Sequence, residues 1–167
     1  MFQCKYELMY GIARLLIITI VLSVCLLPIC AHAKSDVELS SGESVYVSIY
    51  SNIYSGPKAV RFELAAMLSI RNTDPKYPIT ILKADYYDTG GNMIDSYVKK
   101  PMKLKPLETT YFYIKEYDKR GGPGANFIVK WQAERKVNQP IIEGVMLGTR
   151  QGGSFICPGQ IITEHSE

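Results

Sequence analysis

The sequence predicts an all-β protein, an antiparallel immunoglobulin-like β-sandwich of about seven or eight strands. Apolar and polar residues alternate with period two, most clearly from Phe62 to Ile70. This alternation is typical of a half-buried strand, because an amphipathic helix would need spacings of three and four. Similar segments recur at short intervals, and Gly, Pro, Asn and Asp lie between them. The composition, 47% hydrophobic and 21% charged, is that of a globular protein.

The individual strands follow from this alternation. We expect them at residues 45–50, 62–70, 79–87, 93–98, 109–117, 127–134, 141–148 and 154–162. Asp88 to Asn92 contains two glycines and is predicted to be a hairpin connection. Arg120 to Gly124 is predicted to be a wide glycine-rich loop. Trp131 and Phe127 alternate with polar residues, and we expect both in the core.

Residues 1–33 have the features of an export signal. Lys5 and Arg14 precede an apolar run from Leu15 to Leu27. This run is shorter than the roughly 20 residues that a membrane-spanning helix needs. Ala31-His32-Ala33 then offers the small residues that a signal peptidase recognises. We therefore expect cleavage after Ala33 and a periplasmic or secreted protein; the alternative is an uncleaved segment that stays as a membrane anchor.

The chain after the signal has few residues for catalysis. Residues 34–43 are polar and predict a flexible lead, and residues 44–167 predict a single domain. This part keeps one cysteine, Cys157, and one histidine, His165. A Cys/His zinc site, a Ser-His-Asp site and a Cys-His site are therefore not expected, nor is any cofactor or metal. The net charge of +3, with acids and bases interleaved, does not favour nucleic acid as a partner.

Short motifs follow one another in order through most of the predicted domain. They are Leu68-Ser69-Ile70-Arg71-Asn72-Thr73-Asp74, Pro78-Ile79-Thr80, Asp85-Tyr86-Tyr87-Asp88 with Gly91, Gly121-Gly122-Pro123-Gly124-Ala125-Asn126-Phe127, Val129-Lys130-Trp131, Pro140-Ile141 and Val145-Met146-Leu147-Gly148-Thr149. In order and spacing, residues 44 to 158 resemble the bacterial exported family catalogued as domain of unknown function 3124. The resemblance implies export and a compact domain, and it implies no activity. Pro123 stands where that family usually has serine, which makes a ligand-binding role for this loop less favoured here.

The candidate binding residues come from these motifs. They are Asn72, Asp74, Asp85, Tyr87, Asp88 and Asn126. Asp85, Asp88, Asn92 and Asp95 bracket a glycine turn, and such oxygen ligands are what calcium prefers. The spacing is not that of an EF-hand loop, so we expect Asp88 and Asn92 to shape the turn instead.

Two surface features are further candidates. Tyr111, Tyr113 and Tyr117 share one face of a predicted strand, where an exposed aromatic stripe could bind a glycan or a partner protein. Core packing is the alternative for these rings. The basic run from Lys99 to Lys105 could contact anionic lipid or cell-wall polymer, and a solvated connection between strands is the alternative.

The sequence therefore predicts an exported, non-catalytic binding domain of the bacterial envelope. We expect its partner to be another envelope protein or a cell-surface polymer, with membrane contact only through an uncleaved signal segment. Two alternatives stay open: a hydrolase that uses a pair of carboxylates, and a stress-protective structural protein without a specific ligand. A concave pocket with two acids would favour the enzyme, and an exposed aromatic patch would favour the binding domain.

Overall fold

The computed structural model describes residues 38–148 and 152–163, so the predicted signal lies outside the described residues. All regular elements of the described part are strands. They are β1 (Leu39–Ser48), β2 (Asn52–Ser55), β3 (Val60–Glu63), β4 (Ala65–Arg71), β5 (Ile79–Tyr87), β6 (Met93–Ser96), β7 (Met102–Leu104), β8 (Thr109–Ile114), β9 (Asn126–Asn138), β10 (Ile141–Gly148), β11 (Gly153–Pro158) and β12 (Gln160–Ile162). The described residues form no helix that is long and apolar enough to cross a membrane.

The strands form two antiparallel sheets and a separate hairpin. The six-stranded sheet has the order β12-β1-β9-β5-β6, and β7 pairs with β5 beside β6. The four-stranded sheet has the order β11-β10-β4-β8, and β2 pairs with β3. One apolar cluster draws its residues from both sheets. The predicted all-β antiparallel sandwich is therefore confirmed.

The core contains the residues that the alternation predicts. Trp131 and Phe127 of β9 are fully buried, as expected, and Tyr86 of β5 is the third large buried side chain. The rings of Tyr86 and Phe127 stack with their centroids 5.0 Å apart. Leu68 and Ile70 of β4 are also fully buried. Each such aliphatic or aromatic side chain contributes roughly 1.5–3 kcal/mol when it leaves water, so the alternation also defines the main source of stability.

The structure has twelve strands because some predicted segments are interrupted and two short strands carry little periodicity. The segment from 62 to 70 divides at Leu64, whose backbone N–H donates to the Ser51 carbonyl at 2.9 Å. The part before Leu64 belongs to the β2–β3 hairpin, and the part after it belongs to the four-stranded sheet. β2 and β7 have four and three residues, which is too short for a clear alternation.

β1 begins earlier than the sequence predicts. Residues 39–43, placed by their polar composition in a flexible lead, pair with β9 as part of β1. The register shifts between Ser40 and Gly42, which marks a bulge. A Cβ atom at Gly42 would lie 2.8 Å from the Trp131 carbonyl oxygen, so glycine lets the two backbones approach at this point. Composition misses this segment because backbone hydrogen bonds, not buried side chains, hold it in the sheet.

The glycine-rich loop is fastened to the β5–β6 hairpin. The Thr89 hydroxyl donates to the Gly121 carbonyl and accepts from the Gly124 backbone N–H, both at 2.9 Å. Below this loop, the buried hydroxyls of Tyr86 and Ser51 are hydrogen-bonded at 2.9 Å. The loop therefore passes directly over a buried polar contact of the core.

We predict that Gly121→Ala lowers the free energy of unfolding by about 3 kcal/mol, in the range found for overpacked sites. The added Cβ would clash with the Tyr86 hydroxyl and would lie 2.7 Å from Ser51 Oγ. Urea unfolding followed by circular dichroism measures the loss. Gly153→Ala is the matched control, because no heavy atom of the described residues lies within 4 Å of a Cβ there. A Gly121→Ala variant as stable as the control would contradict the close packing.

Candidate functional site

Asn72 and Asp74, two of the predicted binding residues, lie in the turn between β4 and β5 and are occupied by backbone contacts. Asn72 Nδ2 donates to the carbonyls of Tyr77 and Lys105, both at 2.9 Å. Asp74 Oδ1 accepts two backbone N–H bonds from its own turn at 2.8 Å, and Oδ2 accepts the Asn138 N–H at 3.1 Å. The two side chains thus join this turn to the connections before β8 and after β9.

The same hydrogen bonds tune the charge of Asp74. The backbone N–H of Lys76, followed by those of Tyr77 and Asn138, holds the pKa of the Asp74 carboxyl below its ordinary value against the opposing effect of burial. The ionised form is therefore the one that the fold uses.

Asp88 shapes the hairpin between β5 and β6. Its Oδ1 accepts the Asn92 backbone N–H at 2.8 Å, and its own N–H donates to the Asn92 carbonyl at 2.9 Å. The Asn92 backbone N–H, followed by the Asn92 side-chain amide, lowers the pKa of the Asp88 carboxyl. The turn-shaping role expected for Asp88 and Asn92 is what the geometry shows. Within residues 38–148 and 152–163, no three His, Cys, Asp or Glu side chains are grouped so that they could hold a metal ion.

Asp85, Tyr87 and Asn126 lie together on the outer face of the six-stranded sheet. Tyr87 and Asn126 are direct partners across β5 and β9, and Asp85 lies two residues before Tyr87. Asp85 is buried and forms an ion pair with Lys83 at 2.8 Å. Tyr87 is half-buried. The structure therefore brings these three candidate residues together at the C-terminal end of β5. Asn72 and Asp74 lie before the N-terminal end of the same strand.

A row of exposed tyrosines lies on the four-stranded sheet. Tyr111 and Tyr113 belong to β8, and Tyr117 follows in the next turn; their exposed fractions are 64%, 52% and 72%. We call these three residues the tyrosine strip. Tyr111 and Tyr113 are two residues apart on an extended strand, so they point to the same side about 7 Å apart along it. Among the described strands β8 pairs with β4 only, so the strip lies at a sheet edge.

The sheet face beside the strip is apolar across its width. Tyr113 is paired with Met67, Met67 with Val145, and Val145 with Ile156, in one row across four strands. Ile156 is exposed, whereas Met67 and Val145 are half-buried. At Tyr113 the strip therefore continues into an apolar row across the sheet, whereas Tyr111 is paired with Ser69 and Ser69 with Glu143.

A groove of about 770 Å³ opens where β8 ends. Tyr97 of the β6 end, Tyr113 and Tyr117 contribute aromatic surface, and the segment from Lys115 to Arg120 contributes charge. Burial raises the pKa of Tyr97, so its hydroxyl stays protonated at neutral pH. Within the described chain, the charged residues of the groove lining are the cations Lys115, Lys119 and Arg120 and the acid Asp118. We therefore call this cavity the cationic groove.

The charged side chains of the cationic groove are held in place. Asp118 Oδ1 accepts from Arg120 Nε at 2.9 Å and Oδ2 accepts from Nη2 at 2.7 Å. This pair lowers the pKa of Asp118 and raises that of Arg120. Lys115 Nζ lies 5.5 Å from the Tyr117 ring centroid, and its hydrogen bond to Tyr117 raises the pKa of Lys115. Lys119 Nζ lies 3.5 Å from a Glu63 oxygen.

A second cleft, of about 500 Å³, contains two acids. Its walls include Phe62, Leu64 and Phe155, and Glu63 and Glu116 also line it. The Glu63 carboxylate is ion-paired, with Arg61 Nε at 3.0 Å and Lys119 Nζ at 3.5 Å.

Cys157 of β11 is half-buried and packs against the core cluster. Burial raises the pKa of its thiol. A thiol with a raised pKa is a poor nucleophile at neutral pH.

The fold and its surface define an antiparallel β-sandwich domain with an aromatic, cation-lined candidate site. Residues 42–162 match the family described as "Protein of unknown function (DUF3124)", and the chain belongs to this family. Among solved structures, the chain is similar to the protein of the "Crystal Structure of Thermotoga maritima 1070", with 8% identity and a TM-score of 0.44. That match covers 73% of this chain and 96% of the other. No curated protein matches the sequence.

We predict that Asp74→Asn lowers the free energy of unfolding at pH 7 and weakens its acid dependence. The lowered pKa means that the Asp74 carboxylate stabilises the fold above its unfolded pKa of about 3.9, and that this contribution is lost as the pH falls through the folded pKa. The amide of the substituted asparagine would also place an N–H donor against the Asn138 backbone N–H, from which Asp74 Oδ2 now accepts a hydrogen bond.

Urea unfolding between pH 7 and pH 3 measures both effects. Glu134→Gln, which changes an exposed carboxylate of β9, is the matched control. If Asp74→Asn and Glu134→Gln behave alike at pH 7, Asp74 does not hold the turn as described.

Proposed function

We propose that this protein is an exported, non-catalytic binding domain of the bacterial envelope that binds its partner through the tyrosine strip and the cationic groove. The observation that carries this proposal is the exposure of all three strip tyrosines beside a groove lined by cations. Tyrosine offers a large rigid ring together with a polar hydroxyl, which suits recognition of a partner from water. The partner is another envelope protein or a cell-surface polymer.

Export is proposed from residues 1–33 of the sequence. Their basic start, apolar run and Ala31-His32-Ala33 site are those of a cleaved signal peptide. Such a protein meets its partner in the periplasm or outside the cell.

The contacts of the other candidate residues support placing the surface at the strip. The side-chain polar atoms of Asn72, Asp74 and Asp88 are hydrogen-bonded to the protein's own backbone. Few of these atoms therefore remain for binding a ligand. Asp85, Tyr87 and Asn126 form the second candidate surface, on the opposite sheet. Half-burial of Tyr87 gives that surface less aromatic area than the strip.

The hydrolase alternative has one specific observation in its favour. Glu63 and Glu116 line the same cleft, as an acid–base pair would require. Glu63, however, is held between Arg61 and Lys119 by ion pairs at 3.0 Å and 3.5 Å, so its carboxylate is already engaged by the protein's own cations. A stress-protective protein without a ligand requires neither a groove nor an exposed aromatic row, and it is the least supported of the three.

We predict that the double variant Tyr111→Ala/Tyr113→Ala binds washed envelope material about thirtyfold more weakly than the wild type, since two aromatic contacts of roughly 1 kcal/mol each are removed. Sedimentation of the material with purified exported protein measures the bound fraction. Tyr54→Ala, at an exposed tyrosine of β2 that is 56% accessible, is the matched control and retains binding. Thermal unfolding checks that each variant is folded.

Two other outcomes decide against the strip. Loss of binding in Tyr87→Ala with full binding by the strip variant would move the site to the six-stranded sheet. No binding by the wild type to any envelope fraction contradicts the binding function itself.

A further inference from the structure

We propose that the partner bound by the tyrosine strip is an acidic polysaccharide, whose sugar rings lie on Tyr111 and Tyr113 and whose acidic groups enter the cationic groove. This inference rests on the proposed binding function and names its ligand class.

The aromatic part of the site fits a chain of sugar rings. A sugar ring has one face of C–H groups that packs on an aromatic ring, while its hydroxyls stay at the edge and remain hydrated. Tyr111 and Tyr113 present their rings in sequence along β8, more than half exposed. Because a strand separates them by about 7 Å, an elongated ligand can cover both rings and then reach Tyr117.

The charged part of the site fits an anion. The groove lining carries Lys115, Lys119 and Arg120 against Asp118 alone. The arginine guanidinium has five N–H donors, and Asp118 takes two of them. Asp118 therefore fixes the orientation of Arg120 while other donors stay on the guanidinium for a carboxylate or phosphate.

The small net positive charge of the cationic groove favours a polysaccharide over a nucleic acid as the ligand. Asp118 and Glu63 each offset part of the charge of Arg120 and Lys119. A single-stranded nucleic acid carries a phosphate on every nucleotide and is bound by grooves that neutralise many of them. The net charge of the chain is only +3, which suits a ligand with few charges per length.

The position of the strip also favours a ligand that lies on the sheet face over a peptide that pairs with its edge. The tyrosine rings point outward from the four-stranded sheet, on the side where Tyr113 adjoins Met67. A peptide added to β8 would be held chiefly by backbone hydrogen bonds and would depend less on these rings.

The test uses the exported protein, purified from cells that express the full chain, and two forms of one polymer. Polygalacturonate with most of its carboxylates methyl-esterified carries few charges per length, and the full methyl ester has the same backbone without the charge. The sparsely charged form is called polygalacturonate below. We expect calorimetry to show binding of polygalacturonate, at least about tenfold weaker binding of the ester, and weakening of the acidic complex by added salt. Equal binding of both forms at all salt concentrations overturns the acidic class.

Variants separate the two parts of the site. Lys115→Gln/Lys119→Gln should weaken polygalacturonate about tenfold and leave the ester unchanged, whereas Tyr111→Ala/Tyr113→Ala should weaken both. Lys136→Gln is the matched control, an exposed lysine near the other end of the sandwich, and it changes neither affinity. An effect of Lys136→Gln as large as that of the groove variant would show general attraction by net charge and would contradict a site at the groove.

The outcomes also separate this inference from the proposed function. If envelope binding depends on the strip but is lost after protease treatment and is not competed by polygalacturonate, the partner is a protein, so the ligand class fails and the binding function stands. If a single-stranded oligonucleotide competes more strongly than polygalacturonate, the charge-density argument is wrong. If the wild type binds neither envelope material nor polymer, both proposals fail.

Discussion

The hydrogen bond between the buried Tyr86 hydroxyl and Ser51 Oγ is the contact on which the candidate site depends most. Burial raises the pKa of Tyr86, so this hydroxyl keeps its proton and can donate or accept across the neutral range. Gly121 lies against the pair, and only the absence of a Cβ lets the loop pass there. Thr89 then binds the loop from above. Arg120 immediately precedes Gly121, and Asp118 lies three residues before it. The position of this wall of the cationic groove is therefore set by a contact in the core.

The opposite end of the sandwich is fixed by a comparable use of polar side chains. Asn72 and Asp74 hold three connections together, and each of their contacts goes to backbone. Buried polar groups are stable only when they are paired, and here the pairing defines the loop geometry. Polar side chains at the two ends therefore serve the fold. The strip tyrosines, by contrast, are more than half exposed, and the groove cations lie at the surface although Arg120 and Lys119 are each ion-paired.

Structural features that depend on a few neighbouring residues could be predicted from the sequence. The alternation from Phe62 to Ile70 predicted the strand character of this segment but not its division at Leu64 between β3 and β4. The two-residue spacing of Tyr111 and Tyr113 placed both rings on one face. Asn72 and Asp74 looked like ligand-binding residues because their partners near Lys105 and Asn138 lie more than thirty residues away in sequence. The cationic groove could not be predicted from the sequence for the same reason. It lies between Tyr97, which follows β6 of one sheet, and the segment after β8 of the other, and only the packing of the sheets brings them together.

The energetics of the strip separate it from the fold. A buried tyrosine removes 150–250 Å² from water, at roughly 25 cal/mol for each apolar Å². Tyr111, Tyr113 and Tyr117 keep more than half of their surface in water, so folding gains only part of this free energy from them. The remaining part would be gained only if something else covered the rings. An edge strand with exposed aromatics is also a site for unwanted pairing, and the Lys115 charge directly after β8 opposes that. The same charge lies 5.5 Å from the centre of the Tyr117 ring, so one side chain both protects the strand edge and adds positive charge beside the tyrosine strip.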